Sequence, residues 1–556
     1  MLIRTKANTF RIVFKDGKES SFIKGTPIFE ILEFLRRDKN PNIVLARVNN
    51  IVHSLHESLD EDSILEWIYI QSPEGRRSYQ QSLCLLLIRA SKELFPEGRI
   101  FIDHSLGKGL YCDFQNGIQL NPRRVRQITL RMQEIIENNE PILPKKTPRK
   151  KALLHMKSTG EDPAWLSGNP EKINLTLYHC GPIKDYLGYP LLPYTGRLGI
   201  FDLQYYKPGL ILRPPDEHDL HTLAPRVKQK KLFQVFHEYR SWQNILNIEK
   251  ASDINKKVID KSIFDVVKIT EGLHEKKIAQ IADTIKHKRR HLRIILIAGP
   301  SSSGKTTFSK RLAIQLQVIG LKPIAISLDD YFVDRDKTPL DEMGEFDYES
   351  LKAINIQLFN EDLQNLLAGK EVQLPKFDFV KGKSSKGPIW QLQSDQPILI
   401  EGLHGLNNQL TESISNKNKY KIYVSALTQL NITSHMRIPT SDIRLLRRLI
   451  RGYKFRGHDA TETIMQWRHV RLGEEKYIFP FQETANIVFN SSLTYEPSVL
   501  RVLAKPLLEA VPKAQMAFSE SHRILDLLSC FIPLSPKVVP LNSILREFIG
   551  GSSFSY

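Results

Sequence analysis

Cysteine is scarce, with Cys84, Cys112, Cys180 and Cys530 the only four in 556 residues. They lie far apart and include no Cys-x-x-Cys pair, which excludes a dense disulfide framework and a cysteine-rich zinc site. Buried thiols in a reducing cytosol are expected instead. Long apolar runs are also missing. The run Leu83 to Ile88 is broken by Arg89, and nothing approaches the roughly 18 apolar residues that a membrane-crossing helix needs. No repeat of fixed period is present. The first fourteen residues, MLIRTKANTFRIVF, alternate apolar and polar positions like a strand; no secretory leader is expected there, because its continuous apolar centre and small-residue cleavage site are missing. With 41% apolar and 25% charged residues, collagen-like, low-complexity and wholly disordered classes are excluded. A soluble, cytoplasmic protein is expected.

Positive charge is in excess, with 79 Lys and Arg against 61 Asp and Glu for a net +18, which points to anionic partners. The length suggests about three to five domains. Residues 1 to about 70 read as a small β-rich unit. Strands are expected at Thr9 to Phe14, Ile43 to Val48 and Ile64 to Ile70, with a Lys15-Asp16-Gly17 turn and a helix from Pro27 to Arg37. A helix over Ser78 to Leu94 stops at Pro96-Glu97-Gly98, strands follow at Arg99 to His104 and Gly109 to Phe114, and Asn121 caps a helix over Pro122 to Asn138. The segment PILPKKTPRKK, Pro141 to Lys151, reads as a solvated basic loop. Leu175 to Phe201 is turn-dense, and Leu232 to Arg290 is mostly helical.

Ile294 to Ala298 is a short all-apolar strand of the kind buried on both faces of a parallel sheet. It runs into Gly299-Pro300-Ser301-Ser302-Ser303-Gly304-Lys305-Thr306-Thr307 and then a helix-forming stretch. This is G-x-x-x-x-G-K-T in a strand-loop-helix setting, whose glycines let backbone N–H groups turn inward around phosphates at a helix N-terminus. Lys305 is placed to reach the β and γ phosphates of ATP, and the Thr306 hydroxyl to ligate Mg²⁺. Two further apolar strands, Pro323 to Leu328 and Pro397 to Ile400, end in acids, Asp329-Asp330 and Glu401. Such acids sit in the crevice where open α/β sheets bind ligands. In DIRLLRRLIRGYKFRG, residues 442–457, Arg444, Arg447, Arg448 and Arg451 share most of one helical face, and a lid closing over the transferred phosphoryl group is expected.

With these residues the sequence resembles the uridine kinase and phosphoribulokinase family of P-loop kinases. The resemblance rests on GPSSSGKTT at 299–307, SLDDYF at 327–332, PKFDF at 375–379, ILIEG at 398–402 and the arginine-rich segment, and spans about 290 to 510. It implies that Asp329 is the general base for a ribose 5′-hydroxyl and, with Thr306 and Glu401, helps to hold Mg²⁺. It also implies that Asp347, in GEFDYE, holds ribose hydroxyls, that Phe377 stacks on the base beside Asp378, and that Arg444, Arg448, Arg451 and Arg456 form the lid. One departure concerns specificity: the histidine with which uridine kinases read the pyrimidine edge is replaced by Gly382.

The first 230 residues resemble the N-terminal part of threonyl-tRNA synthetase. Residues 8–70 look like its TGS module, and 90–114 with 178–203 look like its editing domain. The positions of that domain's histidines and cysteine are here Gln81, Leu85, Leu187 and Leu191, so neither editing nor zinc is implied. The whole combination resembles a bacterial group of uridine kinase-like nucleoside kinases, and VPLNSILREFIGG at 539–551 is similar to that group's tail. The implied architecture is multidomain α/β. A β-grasp-like TGS module covers 1–70, an α+β editing-like domain 71–230 and a helical connector 231–290. A P-loop kinase domain with a parallel sheet flanked by helices covers 291–510, and a tail 511–556. The implied function is Mg²⁺-dependent transfer of the ATP γ-phosphoryl group to a nucleoside such as uridine or cytidine. Two alternatives stay open: a sugar-phosphate acceptor, and an RNA-binding regulatory ATPase whose N-terminal half contacts tRNA.

Overall fold

Alternation at the N-terminus does become a strand. In the computed structural model, which describes residues 8–556 apart from 38–39, 116, 217–218, 227, 342–343, 380 and 394, Thr9–Phe14 buries Phe10, Ile12 and Phe14. The first seven residues of the alternating stretch lie outside the described residues. This strand pairs antiparallel with Glu19–Ile23 and parallel with Ser63–Tyr69, and Ile43–Val48 and Ile51–Ser54 complete a five-stranded mixed sheet covered by the helix Ile28–Phe34.

Next come a helix over Pro73–Leu94, capped by the Ser72 hydroxyl, and a four-stranded antiparallel sheet that includes Arg99–Leu106 and Gly109–Gln115. Asn121 accepts from the N–H of Arg124 and so caps the helix Pro122–Glu137. The basic loop expected at Pro141 to Lys151 is corrected: Leu143–Pro148 is a strand paired with Asn174–Cys180, and Arg149–Ser158 is a helix. Its two prolines are tolerated because it is an edge strand of its three-stranded sheet. Leu85, Leu187 and Leu191 are fully buried in the apolar core of this region.

Three connector helices, Lys230–Leu246, Ala251–Ile259 and Ile263–His287, lead to a parallel sheet of five strands. Its order is Ile324–Ser327, Ile398–Glu401, Ile294–Ala298, Lys419–Ser425, Ile487–Asn490. Ile294–Ala298 is central and buried throughout, as its unbroken apolar sequence requires. Its register places Ile297 beside Glu401, and Ser327 beside Glu401 on the other side. The strand ends carrying Asp329, Glu401 and the glycine loop therefore open on one edge.

The two halves of the chain are stitched together near one hairpin, Asn431–Thr433 with Met436–Arg437. The N–H of Ile102 donates to Ser434 O at 2.9 Å, the Asn431 amide donates to Ile102 O at 2.8 Å, and His435 Nδ1 lies 2.6 Å from Asp185. Beside this seam is a cavity of about 530 Å³, lined by Gln81, Leu187, Tyr189, Arg437, Trp467 and Arg523 among others. Among the described residues, no helix is long and apolar enough to cross a membrane.

All four cysteines are buried, and burial pushes the Cys84 and Cys530 thiols up to about 12. A disulfide reagent should therefore leave the native protein unlabelled at pH 7.5 and titrate four thiols per chain once denaturant is added.

Candidate active site

Two glycines give the loop its shape. Gly304 is the N-cap of the helix Lys305–Val318 and has φ +86°, the left-handed region that glycine adopts without strain. At Gly299 a Cβ would run into the carbonyl oxygen of Val424. Between them, the loop's carbonyls are held from outside. Arg444 Nε donates to Ser301 O at 2.9 Å, Arg447 Nη1 to Ser302 O at 3.5 Å, and the Ser491 hydroxyl to Ser303 O. Each arginine is neutralised by a buried carboxylate: Arg444 by Glu474, and Arg447 by Glu496 at 2.8 Å. Glu474 also accepts from the N–H of Ser301 at 3.0 Å.

This arrangement corrects the expectation for Arg444. It is 1% exposed and committed to Glu474 and the loop backbone, so it supports the loop from behind and does not face a transferred group. The helix Thr440–Phe455 is likewise no free flap, since Ile443, Leu445, Leu446, Leu449 and Ile450 anchor it in the core. Three other arginines do reach the open side. Arg448 Nη1 donates to Ser301 Oγ at 2.9 Å. Arg456 is pushed down to about 10, first by the charge of Arg451, then by burial and by Arg448. Like charges this close call for an anion.

Opposite them stand the acids. Asp329, at the solvent-open end of Leu328–Tyr331, has its pKa raised by the protein crowding its carboxyl, against the pull of Lys305 and Arg456. Glu401 is raised to about 7 by burial, with Lys305 opposing and Asp329 adding to the rise. The Thr306 hydroxyl donates to Glu401 at 3.4 Å. Among the described residues no three His, Cys, Asp or Glu side chains cluster as a complete metal cage. Two carboxylates and a hydroxyl nevertheless fit a hard cation such as Mg²⁺, which takes its remaining oxygens from phosphate and water. Lys305 Nζ donates to Pro300 O at 3.2 Å.

Of the residues expected to bind an acceptor, Asp347 accepts from the Tyr477 hydroxyl at 3.0 Å. Phe377 is buried in an aromatic cluster with Phe332 and Phe379, ring centroids 5.8 and 5.1 Å away. Asp378 closes the hairpin turn by accepting from the N–H of Lys381 at 3.1 Å. Gly382 has φ +66°, and a Cβ there would meet the Arg335 side chain at 2.9 Å. Histidine at this position would be strained, and Arg335 fills the adjoining space, donating to Phe379 O at 2.6 Å.

Several groups had no motif to announce them. Glu349, two residues beyond Asp347, is pushed up to about 7 by burial and then by Glu474, against Arg448 and Lys305. Glu474, Ser491 and Glu496 lie 173 to 188 residues from the loop atoms they hold, or act through Arg447. Only their acidic or hydroxyl character on buried elements hints at them.

Residues 294–496 match the model of the Phosphoribulokinase / Uridine kinase family. The match begins at the strand before the glycine loop and ends at Glu496, the partner of Arg447. The N-terminal region is similar to threonine–tRNA ligases. That of Syntrophomonas wolfei is 29% identical over 189 residues, 34% of this chain and 30% of the relative. That of Desulforamulus reducens is 28% identical over 190 residues, again 34% and 30%. The chain therefore spans about three-tenths of the length of these curated relatives. Among solved structures, a possible uridine kinase from Bacillus stearothermophilus is 18% identical, covering 39% of this chain and 98% of that one with a TM-score of 0.28. A putative fructose transport system kinase from Silicibacter sp. TM1040 is 16% identical, covering 38% and 98% with a TM-score of 0.29.

Two outcomes are expected in the matched stretch. Removing one partner of a buried ion pair strands the other, so Glu474→Ala should cost about 3–5 kcal/mol in denaturant unfolding. Glu349 has a folded pKa near 7 against an ordinary 4.5, so the stability it contributes is complete below pH 4.5 and lost as pH rises through 7. Glu349→Gln should melt like the parent near pH 4.5 and at higher temperature than the parent at pH 8.

Proposed function

We propose that this chain transfers the γ-phosphoryl group of ATP to the 5′-hydroxyl of a nucleoside, acting in the cytoplasm. The observation that carries the reading is charge arrangement. Beside the glycine loop the positive charge of Arg451 bears on Arg456 and, after burial, on Arg448, and across from them Asp329 adds to the burial that disfavours the charge of Glu401. A polyphosphate with a divalent cation neutralises both clusters at once. When bound at Thr306, Asp329 and Glu401, Mg²⁺ would supply charge neutralisation on the β and γ phosphate oxygens. Lys305, the arginines and the N–H groups at the helix start hold the triphosphate and stabilise charge as the γ-phosphoryl group moves. Asp329 orients the acceptor hydroxyl and takes its proton while the new P–O bond forms and the bond to the β-phosphate oxygen breaks, releasing ADP.

The nucleoside assignment rests on Asp347, Phe377 and Asp378 as the acceptor pocket. A sugar-phosphate acceptor is the second reading, favoured by Arg335 beside Gly382, a cation where a base-reading side chain would stand. A third draws on the threonine–tRNA ligase similarity and on Lys145, Lys146, Lys150 and Lys151, all exposed on adjoining strand and helix. In that reading the N-terminal half contacts RNA phosphates, with binding that weakens steeply as salt rises.

A coupled assay of ADP release against nucleosides and sugar phosphates tests the assignment. A nucleoside should give turnover, and turnover with sugar phosphates alone would move it to the second reading. Lys305→Ala should lower kcat/KM about a hundredfold or more. Asp329→Asn should lower kcat about 10²–10⁴-fold while ATP still binds, and unchanged turnover would reject Asp329 as the base.

A further inference from the structure

An anion already lies on the first turn of the helix that follows the glycine loop, and it belongs to the chain itself. Glu547 Oε2 accepts from the backbone N–H of Thr307 at 3.1 Å and from the Thr307 hydroxyl at 2.9 Å. The other carboxylate oxygen, Oε1, pairs with Arg451 Nη1 at 3.3 Å. The helix has no cap of its own, because its N-cap is Gly304, so a carboxylate 240 residues away in sequence fills that role.

The segment carrying Glu547 is built to stay there. Ile544, Leu545 and Phe548 are buried without measurable exposure, and Ile544 packs against Gly304. The Phe548 ring lies under the guanidinium groups of Arg447 and Arg451, at 5.1 and 5.6 Å. Farther along, the Tyr556 hydroxyl sits 2.8 Å from Thr307 Oγ1, and its ring lies under the Lys310 ammonium at 5.8 Å.

A nucleotide phosphate in this cleft needs what Glu547 holds. Helix-start N–H groups are where phosphates bind after such loops, and Arg451 belongs to the arginine cluster assigned to the triphosphate. One N–H cannot serve a carboxylate and a phosphate together, and the two anions repel. We propose that Glu547 is a built-in stand-in for a nucleotide phosphate, so that its contact with Thr307 and nucleotide binding exclude one another. Without nucleotide the carboxylate holds the helix start and the arginines in place; nucleotide enters by displacing it. The side chain can swing away while Ile544, Leu545 and Phe548 keep the backbone anchored. This inference rests on the reading of the glycine loop as a triphosphate site.

Calorimetric titration of the full chain with Mg-ATP, alongside melting of the nucleotide-free protein, separates this role from simple helix capping. In Glu547→Gln, ATP should bind roughly fivefold or more tighter while the nucleotide-free protein melts at lower temperature. ATP binding that is unchanged or weaker in the variant, with the parent binding normally, overturns the stand-in role and leaves the kinase reading standing. Binding by neither protein overturns both. Should Glu547→Gln fail to fold, Glu547→Asp keeps the charge and shortens its reach. ATP should again bind more tightly, and equal or weaker binding again overturns the proposal.

Discussion

Two buried ion pairs set the geometry on which everything at the nucleotide edge depends. A buried loop outside any ladder leaves backbone carbonyls that need donors from elsewhere. Arg444 and Arg447 supply those donors, and Glu474 and Glu496 keep the arginines from being isolated charges in an apolar interior. Ser491 completes the set. The helix Thr440–Phe455 therefore divides its arginines between two tasks. Those facing inward, Arg444 and Arg447, shape the loop, while Arg448 and Arg451 reach Ser301 Oγ and Glu547.

That division explains which parts were legible in the sequence. The loop was fully readable because G-x-x-x-x-G-K-T is local: one strand, one turn and one helix start fix it, and Ile294–Ala298 followed by a helix from Lys305 is what the structure contains. The acids Asp329 and Glu401 were readable for a related reason, since a strand end places them without help from the rest of the chain. The four arginines were readable as a helical face, but not which of them face the core. That depends on Glu474 and Glu496, which arrive from other elements and leave no trace in local spacing. Glu547 was still less legible, because a lone glutamate in a short helix looks like any solvated residue. The segment at Pro141 to Lys151 failed in the opposite direction: its charge and prolines argued for a loop, and pairing with Asn174–Cys180 overrode both.

The N-terminal half is joined to the rest of the chain through buried packing and one shared cavity. Leu85, Leu187 and Leu191 contribute to a continuous apolar core. Gln81 and Leu187 border a cavity whose far wall is Arg437, Trp467 and Arg523 of the C-terminal half. The space is lined by residues of both halves.

One further consequence follows from the extent of the main core. A single apolar cluster joins Ala152 and Trp165 of the N-terminal half, Ile278 and Ile281 of the connector, Phe308 and Phe489 around the sheet, and Ile524 and Phe548 of the tail. The stretch that matches the family model, 294–496, is thus smaller than the unit that excludes water around it. Cut out at those boundaries, its sheet would present an unsheltered apolar flank where the connector and tail had been. Evolutionary module and folding module do not coincide in this chain.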